Sequence, residues 1–457
     1  MCVCVSVLLR ERGVHTSNPE TDVSSRLLPS PFRYGHKYAS RIRWRLGTET
    51  NGPRWGDHGK YFDLVLQSYI LTMRSIVAAI PDAKVGTSNW VEVTGASGNL
   101  SAGGSDDFQQ RFYSALAAQP DVPLDWVSVS HYGGNSARGV NFPSPDYVQR
   151  TPFGVAGEVE LEAMRKLAGR PNATLEVMEW SILNNENQQP TWEPSALGTA
   201  WTTASATTWI CHGVDRIFHW ETGTTLRNAS GDGRTVNFFE QWPWAMAFLE
   251  LFLGGQARFT TYDLPPEHGP ATNRRGGGKN STVALIESVK EDGYFVMVAA
   301  VGAARNATWT TTVPVSTNAA MLVRHCPEKK MAVKQYTMNS SRSVVELIVR
   351  ELTNKPGTLQ HSDGLPYDFG RLLTPAGVKY AQKPENLERY WKMHADTFQP
   401  APFEGTMTQD VDTGITTFNV EVSAGTVTVL SVEVCAAGTL PDSAAAPPPV
   451  GQPIPPL

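Results

Sequence analysis

Charge is scarce in this chain. Only 18% of its 457 residues are Asp, Glu, Lys or Arg, against about 25% in an average globular protein. The net charge is −5, and no Lys/Arg cluster goes beyond short pairs such as Arg274-Arg275. A nucleic-acid partner requires a basic patch, so none is expected. Cysteine is scarce too. Cys2, Cys4, Cys211, Cys326 and Cys435 form an odd, scattered set that fits neither a disulfide framework nor a zinc knuckle. No apolar run reaches the roughly 18–20 residues of a membrane span. The best stretch, from Trp244 to Leu253, is short and carries Glu250, so no membrane partner is expected. Met1 to Leu9 is apolar, but it lacks a basic n-region and runs into Arg10-Glu11-Arg12 without a small-residue cleavage site. It makes a poor signal peptide.

What is present is apolar and aromatic. Hydrophobic residues make up 41% of the chain, enough for a sizeable core, and this excludes a disordered chain. Of thirteen Trp, eleven lie between Trp44 and Trp244. A single core stops growing at about 250–300 residues, so two domains are expected. Six N-x-S/T sequons occur, at Asn99, Asn172, Asn228, Asn280, Asn306 and Asn339. Chance supplies about three in such a chain, and the excess points to a secreted protein or one in a lysosomal or vacuolar lumen.

Residues 1–40 are read as an irregular segment. From residue 41 to 255 strand and helix patterns alternate. Strands are expected at Arg41 to Glu49, Ala83 to Trp90, Leu124 to Tyr132, Thr174 to Leu183 and Val214 to Glu221. Helices are expected at Tyr61 to Ile80, Asp106 to Ala118, Gly157 to Leu167, Pro194 to Cys211 and Phe238 to Leu253. The first helix is the clearest: Phe62, Leu66, Tyr69, Met73, Ile76 and Ile80 keep helical spacing and Pro81 stops it. Five βα units imply a parallel sheet covered on both faces, closed as a (β/α)₈ barrel or left as an open doubly wound sheet. The open nucleotide-binding form needs a glycine loop after its first strand. Neither Gly103-Gly104 nor Gly276 to Gly278 has that context.

Beyond Gly255 the pattern becomes β-rich. Strands are expected at Thr282 to Ser288, Gly293 to Val301, Ala307 to Val315, Ala332 to Met338, Val344 to Arg350, Thr416 to Val422 and Gly425 to Val434. This reads as a β-sandwich-like domain over 256–435, with a partly helical insertion at 365–397 and an Ala/Pro-rich disordered tail at 436–457.

In a barrel the chemistry sits at the C-terminal strand ends. Those ends carry Glu49, followed by Asn51; Trp90; His131 and Tyr132; Glu179 and Trp180; and Trp220 and Glu221. One such glutamate alone is usually solvated. Together they place two carboxylates, an imidazole, a phenol and several indoles at one rim. Facing carboxylates suit glycoside hydrolysis. The indoles would stack on sugar faces, and the His and Tyr would orient a nucleophile or bind a hydroxyl. No His pair has ligand spacing, and no metal or cofactor is expected.

These segments resemble the retaining glycoside hydrolases of clan A, most closely glycoside hydrolase family 39, which includes β-xylosidase and α-L-iduronidase. Trp44-Arg45-Leu46-Gly47-Thr48-Glu49 is similar to the family's F-E-x-W-N-E-P at barrel strand four. Tyr61-Phe62 and Asp82-Ala83-Lys84-Val85-Gly86 are similar to its Y-F helix and K-V-G-G strand. Ser128-Val129-Ser130-His131-Tyr132-Gly133 looks like strand six. Leu175-Glu176-Val177-Met178-Glu179-Trp180 resembles the strand-seven T-E-W, and Phe218-His219-Trp220-Glu221 fits strand eight. The resemblance implies Glu49 as acid/base, Glu179 as nucleophile and a saccharide substrate. Asn51, Trp90, His131, Tyr132, Trp180, Trp220 and Glu221 would bind it. It also implies a TIM-type barrel followed by a β-sandwich. Two departures stand out. Thr48 replaces the clan's Asn before the acid/base, and no Pro follows Glu49. If Arg41 to Glu49 is strand four, about 90–120 residues should precede it. The barrel is therefore expected to lack its first three βα units. The rival expectation is an impaired or truncated glycosidase that binds carbohydrate without cleaving it.

Overall fold

The computed structural model describes residues 3–7, 42–47, 62–88, 90–91, 105–134, 165–183, 195–211, 213–219, 225–227, 235–237, 242–249, 256–264, 281–290, 293–302, 308–318, 331–361, 371–373 and 375–434. Contacts group the chain into two compact units. The first is Met1–Gly133, Tyr147–Ser181 and His212–Glu221. The second is Gly134–Asp146, Ile182–Cys211 and Thr222–Leu457.

A seven-stranded sheet organises the first unit. Its strands are β1 (Val3–Val7), β2 (Ile42–Leu46), β3 (Lys84–Gly86), β4 (Trp90–Val91), β5 (Trp126–Gly134), β6 (Thr174–Leu183) and β7 (Arg216–His219). The order is β1-β2-β3-β5-β6-β7, with β4 beside β5. β1–β2, β2–β3, β3–β5, β4–β5 and β6–β7 are parallel pairs. Among the described residues no pairing joins β7 to β1.

β1 corrects the sequence reading, which found no element in residues 1–40. Its signal was present: Val3, Val5 and Val7 alternate with Cys4 and Ser6. The strand pairs with β2 from Val3–Ile42 to Val7–Leu46. One strand therefore precedes β2 in the sheet.

Helix α1 (Phe62–Ala79) joins β2 to β3, and α2 (Ser105–Ala117) joins β4 to β5. α1 is long and apolar enough to span a bilayer by length and composition, which corrects the expectation that no such stretch exists. One side of it packs against protein, while Leu64 and Leu71 are exposed. Phe62, Leu66, Tyr69, Met73 and Ile76 are buried, and the Tyr69 ring meets Phe112 of α2 edge-on at 5.3 Å. Of the expected helix Gly157 to Leu167, the described residues cover only the turn at 165–167.

The second unit holds antiparallel sheets. One has six strands: β10 (Gln256–Asp263), β11 (Thr282–Val289), β12 (Gly293–Val301), β20 (Thr426–Val434), β14 (Met331–Met338) and β17 (Ala401–Pro402), paired in that order. Another pairs β13 (Thr310–Asn318), β19 (Ile415–Ser423) and β18 (Thr406–Gln409). Two short hairpins, β8–β9 (Thr225–Arg227 with Thr235–Asn237) and β15–β16 (Leu359–His361 with Arg371–Leu373), complete the set. The two larger sheets share one apolar cluster that includes Val283, Tyr294, Val296 and Val298 from one and Val313, Val315, Phe418 and Val420 from the other. Alternating inward residues from two sheets make the core of a sandwich.

β12 is buried at every position, because helix α3 (Ala196–Cys211) covers the sheet's other face and packs on β10, β11, β12 and β20. Helix α3 carries no charged residue and is buried from Ala196 to Ser205. Helix α4 (Trp242–Leu249) packs on α3.

One expected strand is a helix. Val344 to Arg350 lies within α5 (Val344–Thr353), whose Val344, Val345, Ile348 and Leu352 face the interior. A short apolar run fits both periods. The deciding sign was Ser343-x-x-Glu346, the pattern of a capping box. Ser343 is the N-cap, and its side chain accepts a hydrogen bond from the Glu346 backbone N–H. Helices α6 (Pro375–Ala381) and α7 (Pro384–Asp396) occupy the insertion.

Candidate active site

The parallel sheet has two unlike faces. In a strand, successive side chains point to opposite sides. Trp44 and Leu46 of β2, Val85 of β3, Val127 and Val129 of β5 and Leu175 and Val177 of β6 fall on one side, all buried and apolar. Thr87 follows on this side and accepts a hydrogen bond from the Tyr113 hydroxyl of α2 at 3.2 Å. This is the helix-covered face.

The opposite side is equally buried but polar. Arg43, Arg45, Ser128, Ser130, Glu176 and Glu179 are each at most 8% exposed. The Arg43 guanidinium reaches from β2 to form an ion pair with Glu176 of β6. On the way it lies over the Trp126 ring of β5, 4.0 Å from the centroid. That ring in turn lies across Gly86 of β3, where a Cβ would come within 2.2 Å of it. Glycine at 86 is what lets the indole lie flat.

β2 and β6 are three places apart in the sheet. In a flat sheet that is about 14 Å. Side chains meeting across two intervening strands require a concave polar face.

Glu176 also accepts a hydrogen bond from Thr174 Oγ1 at 2.7 Å, and Arg216 Nε of β7 stands 3.9 Å away. Its other oxygen, Oε2, has no partner among the described residues. Burial raises the pKa of this carboxyl above its usual value; the Arg43 charge, the Thr174 bond and Arg216 oppose the rise.

Glu179 reaches the same face through an irregularity. Val177 pairs with Ile217 but Trp180 pairs with His219, so three steps on β6 match two on β7. One extra residue in a strand is a β-bulge, which re-aims the side chains after it. Without it Glu179, an odd number of residues from Glu176, would point to the helix side. With it, the two glutamates share a face. Glu179 is 4% exposed and accepts a hydrogen bond from Ser130 Oγ of β5 at 3.4 Å.

Of the residues expected at the rim, Glu179 alone has a described side chain. The backbone of Trp90 opens β4, where it pairs with Val129, and those of His131, Tyr132 and Trp180 lie in the second halves of β5 and β6. Their side chains, and all of Glu49, Asn51, Trp220 and Glu221, lie outside the described residues. Among the described residues no cluster of three His, Cys, Asp or Glu could hold a metal ion. Sequence reasoning missed Arg43, Gly86, Trp126, Ser130 and Glu176 as parts of this face. Two signals could have found them: Arg-Trp-Arg inside an apolar strand, and a second glutamate inside β6.

No protein-family profile matches the sequence, and no curated protein sequence matches it. Solved structures do match in shape. The GH39 enzyme from Xanthomonas axonopodis pv. citri aligns over 91% of this chain and 72% of its own, with a TM-score of 0.54 and 16% identity. A monomeric β-xylosidase from Caulobacter crescentus CB15 aligns over 91% and 74%, at 0.54 and 14%. A bacterial orthologue of human α-L-iduronidase aligns over 92% and 66%, at 0.53 and 13%. This is a glycosidase-like fold. At such identities the likeness is one of fold, and the chemistry must be argued from the residues.

Proposed function

We propose that the protein is a retaining glycosidase with Glu179 as nucleophile and Glu49 as acid/base, acting on a saccharide in a secretory or lysosomal compartment. The parallel sheet is read as part of a TIM-type (β/α)₈ barrel, and the antiparallel sheets as the sandwich domain that follows it. The observation that carries the reading is the Arg43–Glu176 ion pair. It joins β2 and β6, the strands whose C-terminal ends lead to Glu49 and Glu179. Three residues beyond Glu176, the bulge turns Glu179 onto the concave polar side.

In the first step a Glu179 oxygen attacks the anomeric carbon. The bond to the leaving oxygen breaks as Glu49 donates its proton to that oxygen, giving a covalent glycosyl-enzyme. In the second step Glu49, now a carboxylate, takes a proton from water. The water oxygen displaces Glu179 and the configuration is retained. Ser130 donates a hydrogen bond to Glu179 and so helps fix its orientation.

The test uses aryl glycosides with good leaving groups. Glu179→Ala is expected to abolish turnover. Glu49→Ala should keep activity on these substrates, with added azide raising the rate. If both variants turn over like wild type, the assignment is wrong. A second reading is glycan binding without hydrolysis. Glycan binding by a wild type that cleaves no substrate would select it.

A further inference from the structure

Glu176 and Arg43 have no assigned part in the double displacement, yet each is a charge removed from water. Burying a charged pair is costly and rarely adds stability over apolar packing. The contacts place the pair directly below the proposed nucleophile. Arg43 touches both Trp126 and Glu176, and Ser130, four residues along β5 from Trp126, touches Glu179. Glu176 is thus on the same face as Glu179, one side-chain repeat lower and just before the bulge.

We propose that Arg43 is a positioning residue for Glu179, acting through Glu176 to pin β6 immediately before the bulge and to balance the charge beneath the nucleophile. The inference rests on the glycosidase reading. The pin is tight because Arg43 is held on two sides, by the Trp126 ring and by the carboxylate. It acts on Glu179 because only one residue of slack, the bulge itself, separates the anchored part of β6 from the reacting group. The other described charges on this face are Arg45 of β2 and Arg216 of β7. β3 and β5 contribute Gly86, Trp126, Ser128 and Ser130, all uncharged.

The experiment measures kcat, KM and the pH profile of aryl glycoside hydrolysis for Arg43→Met, Glu176→Gln and the double variant. A nucleophile displaced by about 1 Å loses about a hundred-fold in rate, so all three variants should lose about that in kcat, with KM little changed. The acidic limb of kcat/KM reports ionisation of Glu179. A unit charge about 7 Å away in a partly buried site shifts a carboxylate by about one pH unit. In Arg43→Met the buried Glu176 loses its main counter-charge and takes up a proton, so the limb should stay near its wild-type position. Glu176→Gln leaves the Arg43 charge and should move it down. The double variant should return the limb to the wild-type position while kcat stays low.

Loss of rate with the limb moving the same way in both single variants, or in neither, means the pair only fills space, and overturns the inference. So does wild-type kcat in the double variant. If a single variant does not fold, the uncharged double variant and Arg43→Lys carry the test, since Arg43→Lys should keep the limb and lose rate. If wild type cleaves no aryl glycoside, the glycosidase reading itself fails. If Glu179→Ala is dead while these variants behave as wild type, only the present inference fails.

Discussion

Strands β6 and β12 are buried to a similar degree and are built in opposite ways. β12, Gly293–Val301, is apolar on both faces. Tyr294, Val296 and Val298 join the sandwich core, and the strand's other side lies under α3. β6 buries Leu175 and Val177 on one face but Glu176 and Glu179 on the other. An apolar interior stabilises by removing surface from water, at about 25 cal/mol per Å². A buried carboxylate gives that up and must be held by partners. The sandwich spends its interior on stability, and the parallel sheet spends one face on charge. Buried charge on a concave face marks where function is to be sought.

The largest expected effect tests the apolar side. Phe418 is fully buried, with Phe403 edge-on at 5.9 Å. Phe418→Ala should cost about 3–5 kcal/mol of stability, measured by chemical denaturation, while turnover per folded molecule stays unchanged. Equal damage to turnover would break the contrast.

The next effect lies on the polar side. Gly86→Ala puts a methyl into the Trp126 ring. Overpacking should cost about 1–3 kcal/mol and, unlike Phe418→Ala, lower kcat as well, because Trp126 supports Arg43. A variant that loses stability alone would show that the Trp126 layer is packing only.

A titration sharpens the comparison within the second unit. Burial holds the His394 pKa down, from 6.5 to about 4. The unfolded chain takes up a proton first as pH falls, so stability is full above about 6.5 and drops as pH falls towards 4. The drop amounts to at most about 3 kcal/mol. His394→Phe should remove most of this acid sensitivity in melts at pH 4.5 and 8.

The smallest effect concerns a helix start. Ser343→Ala removes the N-cap acceptor of α5 and should cost about 1 kcal/mol, with no change in the pH profile of hydrolysis.

Much of the architecture was legible in the sequence. Expected and observed bounds coincide for Thr174–Leu183 and Gly293–Val301, and nearly so for Phe62–Ala79. In Phe62–Ala79 the helical period runs the length of the element, and both strands are short runs rich in apolar residues, with Gly293 opening the second. Reading failed where two periods fit, as at Val344 to Arg350. It also failed where a five-residue alternation, Val3–Val7, was too short to stand out. At the candidate site Glu179 was singled out from the strand pattern, while Arg43 and Glu176 were passed over. Their positions 133 residues apart carry no local trace of their meeting.

By itself the sequence determined the alternation of strands and helices and the change to β-rich segments after Gly255. Both follow from local chain geometry, which period and capping residues record. Only the tertiary structure decided that the parallel sheet has a polar, concave face and that Arg43 spans it to Glu176. It also decided that one extra residue in β6 turns Glu179 to the same side. The reason is physical. Which side a side chain occupies depends on strand register, and contacts across a curved sheet depend on strand order. Both are set by residues far apart in the chain.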